Sequence, residues 1–153
     1  VKQNAGKEYL RNAVNYITEN ADACCYSGIN ICPERAYRQM RKVKKYYGKT
    51  SGNQLVHFVV CFNNEVNDIA IAKKYARKIA EYYKSRYQIL YAIHHELRLT
   101  KSGYAKSWFH VHIVMNSVSF VDGKMFADNK KDIGRFMEHI SEVTGDDWWR
   151  MFF

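Results

Sequence analysis

Two short segments carry side chains that could do chemistry together. One is His110-Val111-His112, set in the apolar stretch Trp108-Phe109-His110-Val111-His112-Ile113-Val114-Met115-Asn116. The other is His94-His95-Glu96. Alternate side chains of a β-strand share a face, so His110 and His112 point the same way, roughly 7 Å apart along the strand. By the same rule His94 and Glu96 share a face and His95 points away from them. Paired as a hairpin, the two segments would lie about 4.8 Å apart. His94, His110 and His112 could then converge on one ion. Three neutral imidazoles suit zinc, iron, nickel or manganese better than magnesium, and they leave coordination positions open for a substrate oxygen. The bland alternative makes each histidine a polar residue on the solvent face of a sheet. A His-x-His strand facing a His-x-Glu strand inside apolar flanks argues against it. Two other histidines read differently: His57, in an apolar run, as a satisfied core histidine, and His139, on the last helix, as a surface or capping residue.

The substrate class follows from charge. The 153 residues hold 24 Lys and Arg against 15 Asp and Glu, a formal net charge of +9. So basic a small domain suits an anionic partner, nucleic acid first and a membrane surface second. An aromatic content of 15 %, including 12 tyrosines, adds to the first, because bases stack on aromatic rings. A metal at the histidines would polarise a phosphodiester and neutralise developing charge. No cluster of Asp and Glu offers a two-metal site for water activation, so the nucleophile must come from elsewhere, and tyrosine is a candidate. Among 12 tyrosines the residues alone do not select one; Tyr16 is well placed, at a helix edge rather than in its apolar stripe.

The apolar fraction of 47 % and charged fraction of 25 % describe a globular chain and exclude general disorder. The length suits one domain, and no apolar run approaches the roughly 18 residues of a membrane span. The cysteines are Cys24, Cys25, Cys32 and Cys61. An adjacent pair and the lack of any CxxC read as free thiols in a reducing cytoplasm; a zinc set of Cys24, Cys25 and Cys32 is the weaker alternative. Val1 and the apolar end Trp148-Trp149-Arg150-Met151-Phe152-Phe153 lead us to expect a processed start and a parent chain that continues past Phe153.

The positioning elements read as follows. Glu8 to Glu19 is a helix with Leu10, Ala13, Val14 and Ile17 on one face. A short strand spans Ser27 to Ile31. Pro33 opens a second helix that Gly48 stops; Ala36, Met40, Val43 and Tyr47 form its apolar stripe, and Arg38, Arg41, Lys42 and Lys45 the opposite face. Leu55 to Phe62 is a strand expected to be buried on both faces. Asn67 is expected to cap a third helix with Ile69, Ala72, Ala76, Ile79 and Tyr83 inward. Tyr87 to Leu99 and Tyr104 to Ser117 are long strands joined by Thr100-Lys101-Ser102-Gly103. Asp122-Gly123 is a tight turn. A last helix runs from Asn129 to Val143, with Ile133, Phe136, Met137 and Ile140 inward and Gly145 as its stop. The fold class expected is α+β, a mainly antiparallel sheet of about five strands with helices packed on it.

Ordered along the chain, these segments resemble the relaxase (mobilisation nuclease) family of the HUH endonuclease superfamily. Ala13-Val14-Asn15-Tyr16-Ile17-Thr18 looks like the family's N-terminal tyrosine motif. Ser27-Gly28-Ile29-Asn30 and Tyr47-Gly48-Lys49-Thr50 resemble recurrent intervening segments. Leu55 to Phe62 is similar to the second-motif strand. Ala92-Ile93-His94-His95-Glu96 followed by His110 to Ser117 resembles the third motif, and Ser119-Phe120-Val121-Asp122-Gly123-Lys124 continues the likeness. The resemblance covers nearly the whole chain and rests on order and spacing rather than on any single segment.

It implies a sheet with a metal site on one face and helices on the other. It implies Tyr16 as nucleophile on one DNA strand, with a 5′-phosphotyrosyl link and a free 3′-hydroxyl as products, and His94, His110 and His112 as holders of a divalent metal. That metal would be Mn or Mg in function; Zn, Ni or Co could also occupy a histidine site. The implied role is nicking at an origin of transfer for conjugative mobilisation, hence horizontal gene transfer. The implied partners are single-stranded DNA, an accessory DNA-binding protein and the conjugation coupling machinery. The implied location is the bacterial cytoplasm, with passage to a recipient cell attached to the DNA.

Two departures stand out. Leu97 to Phe109 separate the His-x-Glu and His-x-His elements, where family members have only a few residues, and this blurs the choice between His94 and His95. Glu96 stands where Asp is commoner; it could orient a ligand histidine or move a proton. For DNA, the Arg38, Arg41, Lys42 and Lys45 face could sit on phosphates. The long hairpin, with Arg98, Lys101, Tyr104, Lys106 and Trp108, mixes cations and aromatics as single-strand binding requires. Two rival readings remain at this level: a rolling-circle replication-initiator nuclease of the same superfamily, and a non-catalytic single-stranded nucleic-acid-binding domain.

Overall fold

The computed structural model describes residues 7–19, 25–63, 66–99, 101–103, 105–145 and 150–152, and of residues 7, 96–99, 105–107 and 150–152 the backbone only. In chain order the elements are α1 (Lys7–Glu19), β1 (Tyr26–Ile29), α2 (Ala36–Tyr46), β2 (Leu55–Cys61), α3 (Ile69–Ala80), β3 (Ile89–Leu99), β4 (Ala105–Asn116), α4 (Lys130–Thr144) and β5 (Arg150–Phe152). The strands form one antiparallel sheet in the order β1-β3-β4-β2-β5. Four of them make its body, and β5 adds three residues along one side of β2. The expected α+β class stands.

The β3–β4 hairpin is the spine, in register from Ile89↔Met115 to Leu99↔Ala105. Its residues from Ile89 to His94 and from Val111 to Asn116 are buried without alternation, so both faces of the spine need cover. On one face Leu90, Ala92 and Val114 pack with Leu55 against Leu10, Val14 and Ile17 of α1 and Ala36 and Met40 of α2. On the other, Ile89, Ile93, Val111 and Met115 pack with Phe58 and Val60 against Ala72, Ala76 and Ile79 of α3 and Phe136 and Ile140 of α4. Helices therefore cover both faces, not one as the resemblance implied. The fully buried Leu10 and Ile17 alone contribute on the order of 1.5–3 kcal/mol each to holding α1 down.

Several expectations shift. β2 is not buried on both faces: Phe58 and Val60 are in the core, while His57, Val59 and Cys61 are half-buried on the α1 side. The cap of α3 is Asp68, whose carboxylate accepts from the Ala70 amide, rather than Asn67. Pro33 opens a single 3-10 turn, Pro33–Arg35, and α2 proper starts at Ala36. Met137 is exposed, whereas Phe136 and Ile140 are buried and the half-buried Ile133 packs against the same core, as expected. Asn129 caps α4 through the Asp132 amide, and Gly145, at φ 74°, ends it in the left-handed conformation that glycine adopts without strain. The Asp122-Gly123 turn is held by Arg86, which donates to both Asp122 oxygens at 2.8 and 2.7 Å.

A buried polar knot ties α2 to the sheet. Lys44 is 1 % exposed and its Nζ donates to the Gln54 carbonyl (2.6 Å), Asn116 Oδ1 (2.6 Å) and Ser117 Oγ (3.1 Å). Asn116 in turn donates to the Met40 carbonyl and to Gln88 Oε1. Burial, helped by the nearby Arg41 cation, pulls the Lys44 ammonium down to about 7. Arg41 is itself buried, which removes it from the exposed cationic face expected of α2.

Candidate active site

Strand pairing sets the site out as two rows across the sheet. His94 pairs with His110 and His110 with Cys61; one step along, Tyr26 pairs with Ala92, Ala92 with His112 and His112 with Val59. Paired residues share a face, so all of these side chains stand on the α1 side. One potential ligand atom from each of His94, His110 and His112 lies within 4.8 Å of the others. Two nitrogens bound to one ion at about 2.1 Å stand at most about 4.2 Å apart, so side-chain rotations of a few tenths of an ångström close the set. The donors fit a divalent metal. They form the one group of three or more such side chains found among the described residues.

Two of these imidazoles meet a polar neighbour through one ring nitrogen. His94 Nε2 lies 3.0 Å from the Ile17 carbonyl. A carbonyl only accepts, so Nε2 carries the proton and Nδ1 keeps the lone pair. The last carbonyls of a helix lack intrahelical partners, and α1 ends at Glu19; His94 satisfies one of them and so docks the helix end onto the site. His112 Nδ1 lies 2.9 Å from His57 Nε2, leaving Nε2 of His112 for the ion. Burial first, then the neighbouring His94, His57 and His110, pushes His112 down to about 3. Burial and His94 lower His57 as well. At neutral pH both rings are uncharged, as metal binding requires.

Tyr16 comes to the same place from above. Leu10, Val14 and Ile17 turn the apolar face of α1 down, and Tyr16, at its edge, remains 51 % exposed. Its ring stands edge-on to His94 and His112, with centroids 5.8 and 5.6 Å away. The fold thus brings Tyr16 to the His94 and His112 side of the cluster. His95 lies on the opposite face, stacked on Phe109 at 4.6 Å, which settles the choice between the two adjacent histidines in favour of His94 as the member of the cluster.

Other candidates fall out variously. Glu96 continues β3 opposite Trp108, on the His94 face by alternation; its side chain lies outside the described residues, as do those of Arg98 and Lys106 and the whole of Tyr104. Lys101 is exposed at the hairpin tip and Trp108 is half-buried. Arg38, Lys42 and Lys45 are exposed on α2. His139 Nε2 meets the Lys78 carbonyl at 2.9 Å, the capping role expected of it. Of the cysteines, Cys25 is buried, Cys61 half-buried and Cys32 exposed, with no disulfide among the described residues, and Cys24 lies outside the described residues. His57 is what the sequence reading missed. Period-two alternation puts it on one face with Val59 and Cys61, and only the pairing of β2 with β4 reveals that this is the histidine face.

The site is thus three clustered imidazoles on one face of a five-stranded antiparallel sheet, with a tyrosine ring against two of them. Among known families, residues 9–146 match the family described as Relaxase: MobA/VirD2-like, nuclease domain. The chain belongs to the relaxase family, and its function is of the DNA-nicking relaxase kind. No curated protein and no solved structure matches it. Among the described residues no helix is long and apolar enough to cross a membrane.

Proposed function

We propose that this domain nicks one DNA strand at an origin of transfer by tyrosine transesterification. The observation that carries the reading is the placement of Tyr16, half-exposed, on the edges of His94 and His112. Its hydroxyl attacks the scissile phosphorus. A Tyr16 Oη–P bond forms and the P–O3′ bond breaks; the phenol gives up one proton and the departing 3′ oxygen gains one. The products are a 5′-phosphotyrosyl strand and a 3′-hydroxyl. One ester replaces another, so the strand can be rejoined by the reverse step.

His94, His110 and His112 would hold a divalent metal, Mn or Mg in function; the chemistry it would supply is polarisation of the phosphate and charge neutralisation. The chain does the rest by position. The Ile17 carbonyl keeps α1, and with it Tyr16, fixed relative to His94, and such fixed geometry removes orientational freedom from the barrier. Glu96, on the His94 face, serves proton transfer or ligand orientation. Arg38, Lys42 and Lys45, with Lys101 and Trp108 and the hairpin residues Arg98, Tyr104 and Lys106, grip the strand. The biological setting we infer is conjugative mobilisation in a bacterial cytoplasm, with an accessory DNA-binding protein and the coupling machinery as partners.

The test is a covalent-adduct assay. The domain, Mn²⁺ and tiled single-stranded oligonucleotides from DNA flanking its own gene are resolved on denaturing gels. The expected result is an adduct that needs both metal and Tyr16 and is lost in Tyr16→Phe. An adduct that survives Tyr16→Phe moves the nucleophile elsewhere. Metal-independent binding with no adduct favours a binding module.

A further inference from the structure

The C-terminal end of α1 meets the histidine cluster with its charge uncompensated from within. Aligned peptide dipoles leave roughly half a negative charge on the last turn of a helix, and cations placed there are stabilising. The last turn of α1 holds no basic residue, and its final residue, Glu19, is an exposed acid. Thr18 Oγ1 turns back onto the Val14 and Asn15 carbonyls, at 2.9 and 3.2 Å. The Ile17 carbonyl is met from outside the helix, by His94 Nε2 at 3.0 Å.

That contact runs through a side chain with two ends. Nε2 of His94 donates to Ile17, so Nδ1 is the nitrogen left for an ion. A cation on Nδ1 draws electron density from the ring and makes the Nε2 proton a stronger donor. Hydrogen bonds with an ionised partner are roughly twice as strong as neutral ones. The same cation lies beside the negative end of the helix, and the Tyr16 ring rests on the edges of His94 and His112. Leu10, about 10 Å back along the axis from Ile17, is anchored by apolar packing alone. An ion therefore acts on the end of α1 and not on its start.

We propose that metal loading and docking of the end of α1 are one coupled equilibrium. An ion at His94, His110 and His112 tightens the last turn of α1 on the sheet through the His94–Ile17 contact, and so sets the turn that carries Tyr16. The proposal rests on the metal reading above and adds a control to it: the ion that serves the site also assembles it. Coupling of this kind is reciprocal, so loosening the end of α1 weakens metal binding by the same factor.

Deuterium exchange of the whole chain, followed by mass spectrometry with and without Co²⁺ alone, tests it. Amides of residues 14–19 are expected to exchange about tenfold more slowly with saturating Co²⁺, inside the roughly 5- to 150-fold span of known couplings. Those of α4, packed on the far face of the sheet, slow much less. His110→Ala keeps the His94–Ile17 contact but lacks one ligand, so Co²⁺ leaves its α1 exchange unchanged. Calorimetry on the same samples reads metal binding directly. Bound Co²⁺ with residues 14–19 unaffected overturns the coupling and leaves the metal reading standing. Equal slowing in α1 and α4 means that the ion stabilises the whole fold without a particular hold on α1, and also overturns the coupling. So does a Co²⁺ response that persists in His110→Ala. A chain that binds no Co²⁺ overturns the metal reading and the coupling with it.

Discussion

His57 gives the most discriminating test of how the site is built. Its Nε2 lies 2.9 Å from His112 Nδ1, and His112 is nearly fully buried. His57→Ala removes that partner and frees the His112 ring to rotate away from His94 and His110. A net hydrogen bond between neutral groups contributes about 0.5–1.5 kcal/mol. At about 1.4 kcal/mol per tenfold, its loss weakens metal binding roughly 2- to 12-fold. Loss of a partner that orients a ligand costs about 10- to 100-fold in known metal sites, so the expected loss is about tenfold. Calorimetric titration of Co²⁺ or Mn²⁺ into wild type, His57→Ala and His57→Gln measures it. The glutamine amide can also meet His112 Nδ1, so His57→Gln recovers part of the loss. His139→Ala, on the Lys78 carbonyl of the far helices, binds metal as wild type. A His57→Ala protein with intact thermal unfolding and a Kd within twofold of wild type would refute the idea that His57 orients His112.

Other outcomes follow from the same geometry. His94→Ala and His110→Ala both abolish metal binding, but only His94→Ala also strips the Ile17 carbonyl of its partner and lowers unfolding stability in urea by about 1–3 kcal/mol. Changing Arg38, Lys42 and Lys45 together to Ala flattens the slope of log K against log salt for single-stranded DNA by about 2, at roughly 0.7 per phosphate contact; an unchanged slope removes α2 from the DNA path. Lys44 is depressed to about 7 in the fold against an unfolded value near 10.4. Between those values the unfolded chain holds the extra proton, so stability rises with pH from about 7 to 10 by at most about 1.4 kcal/mol per unit, and denaturant titrations of Lys44→Met lose that rise. Above about 10 the trend reverses, because burial raises Tyr83 and Tyr87 in the fold and the unfolded chain loses those protons first.

Local chemistry was legible in the sequence wherever it depends on nearest neighbours. The alternation in His110-Val111-His112 places two imidazoles on one face of any strand. The 3.6-residue period of Leu10, Val14 and Ile17 leaves Tyr16 at a helix edge, and the glycine after α4 ends that helix wherever it packs. Tertiary structure decided everything that depends on register and on which faces are covered. His57 looked like a core residue because a run such as Leu55 to Phe62 cannot tell which of its two faces a helix covers; pairing with β4 put it against His112. His94 was chosen over His95 by the hairpin register, since one residue's slip would exchange their faces. Arg41 reads as a surface cation in the sequence, and its burial and that of Lys44 reflect how α2 lies on the end of β4, where Asn116, Ser117 and the Gln54 carbonyl replace the water that Lys44 loses. The docking of α1 onto His94 through a helix-end carbonyl has no sequence signature, because every helix end offers such carbonyls and only the packed chain decides which donor reaches them.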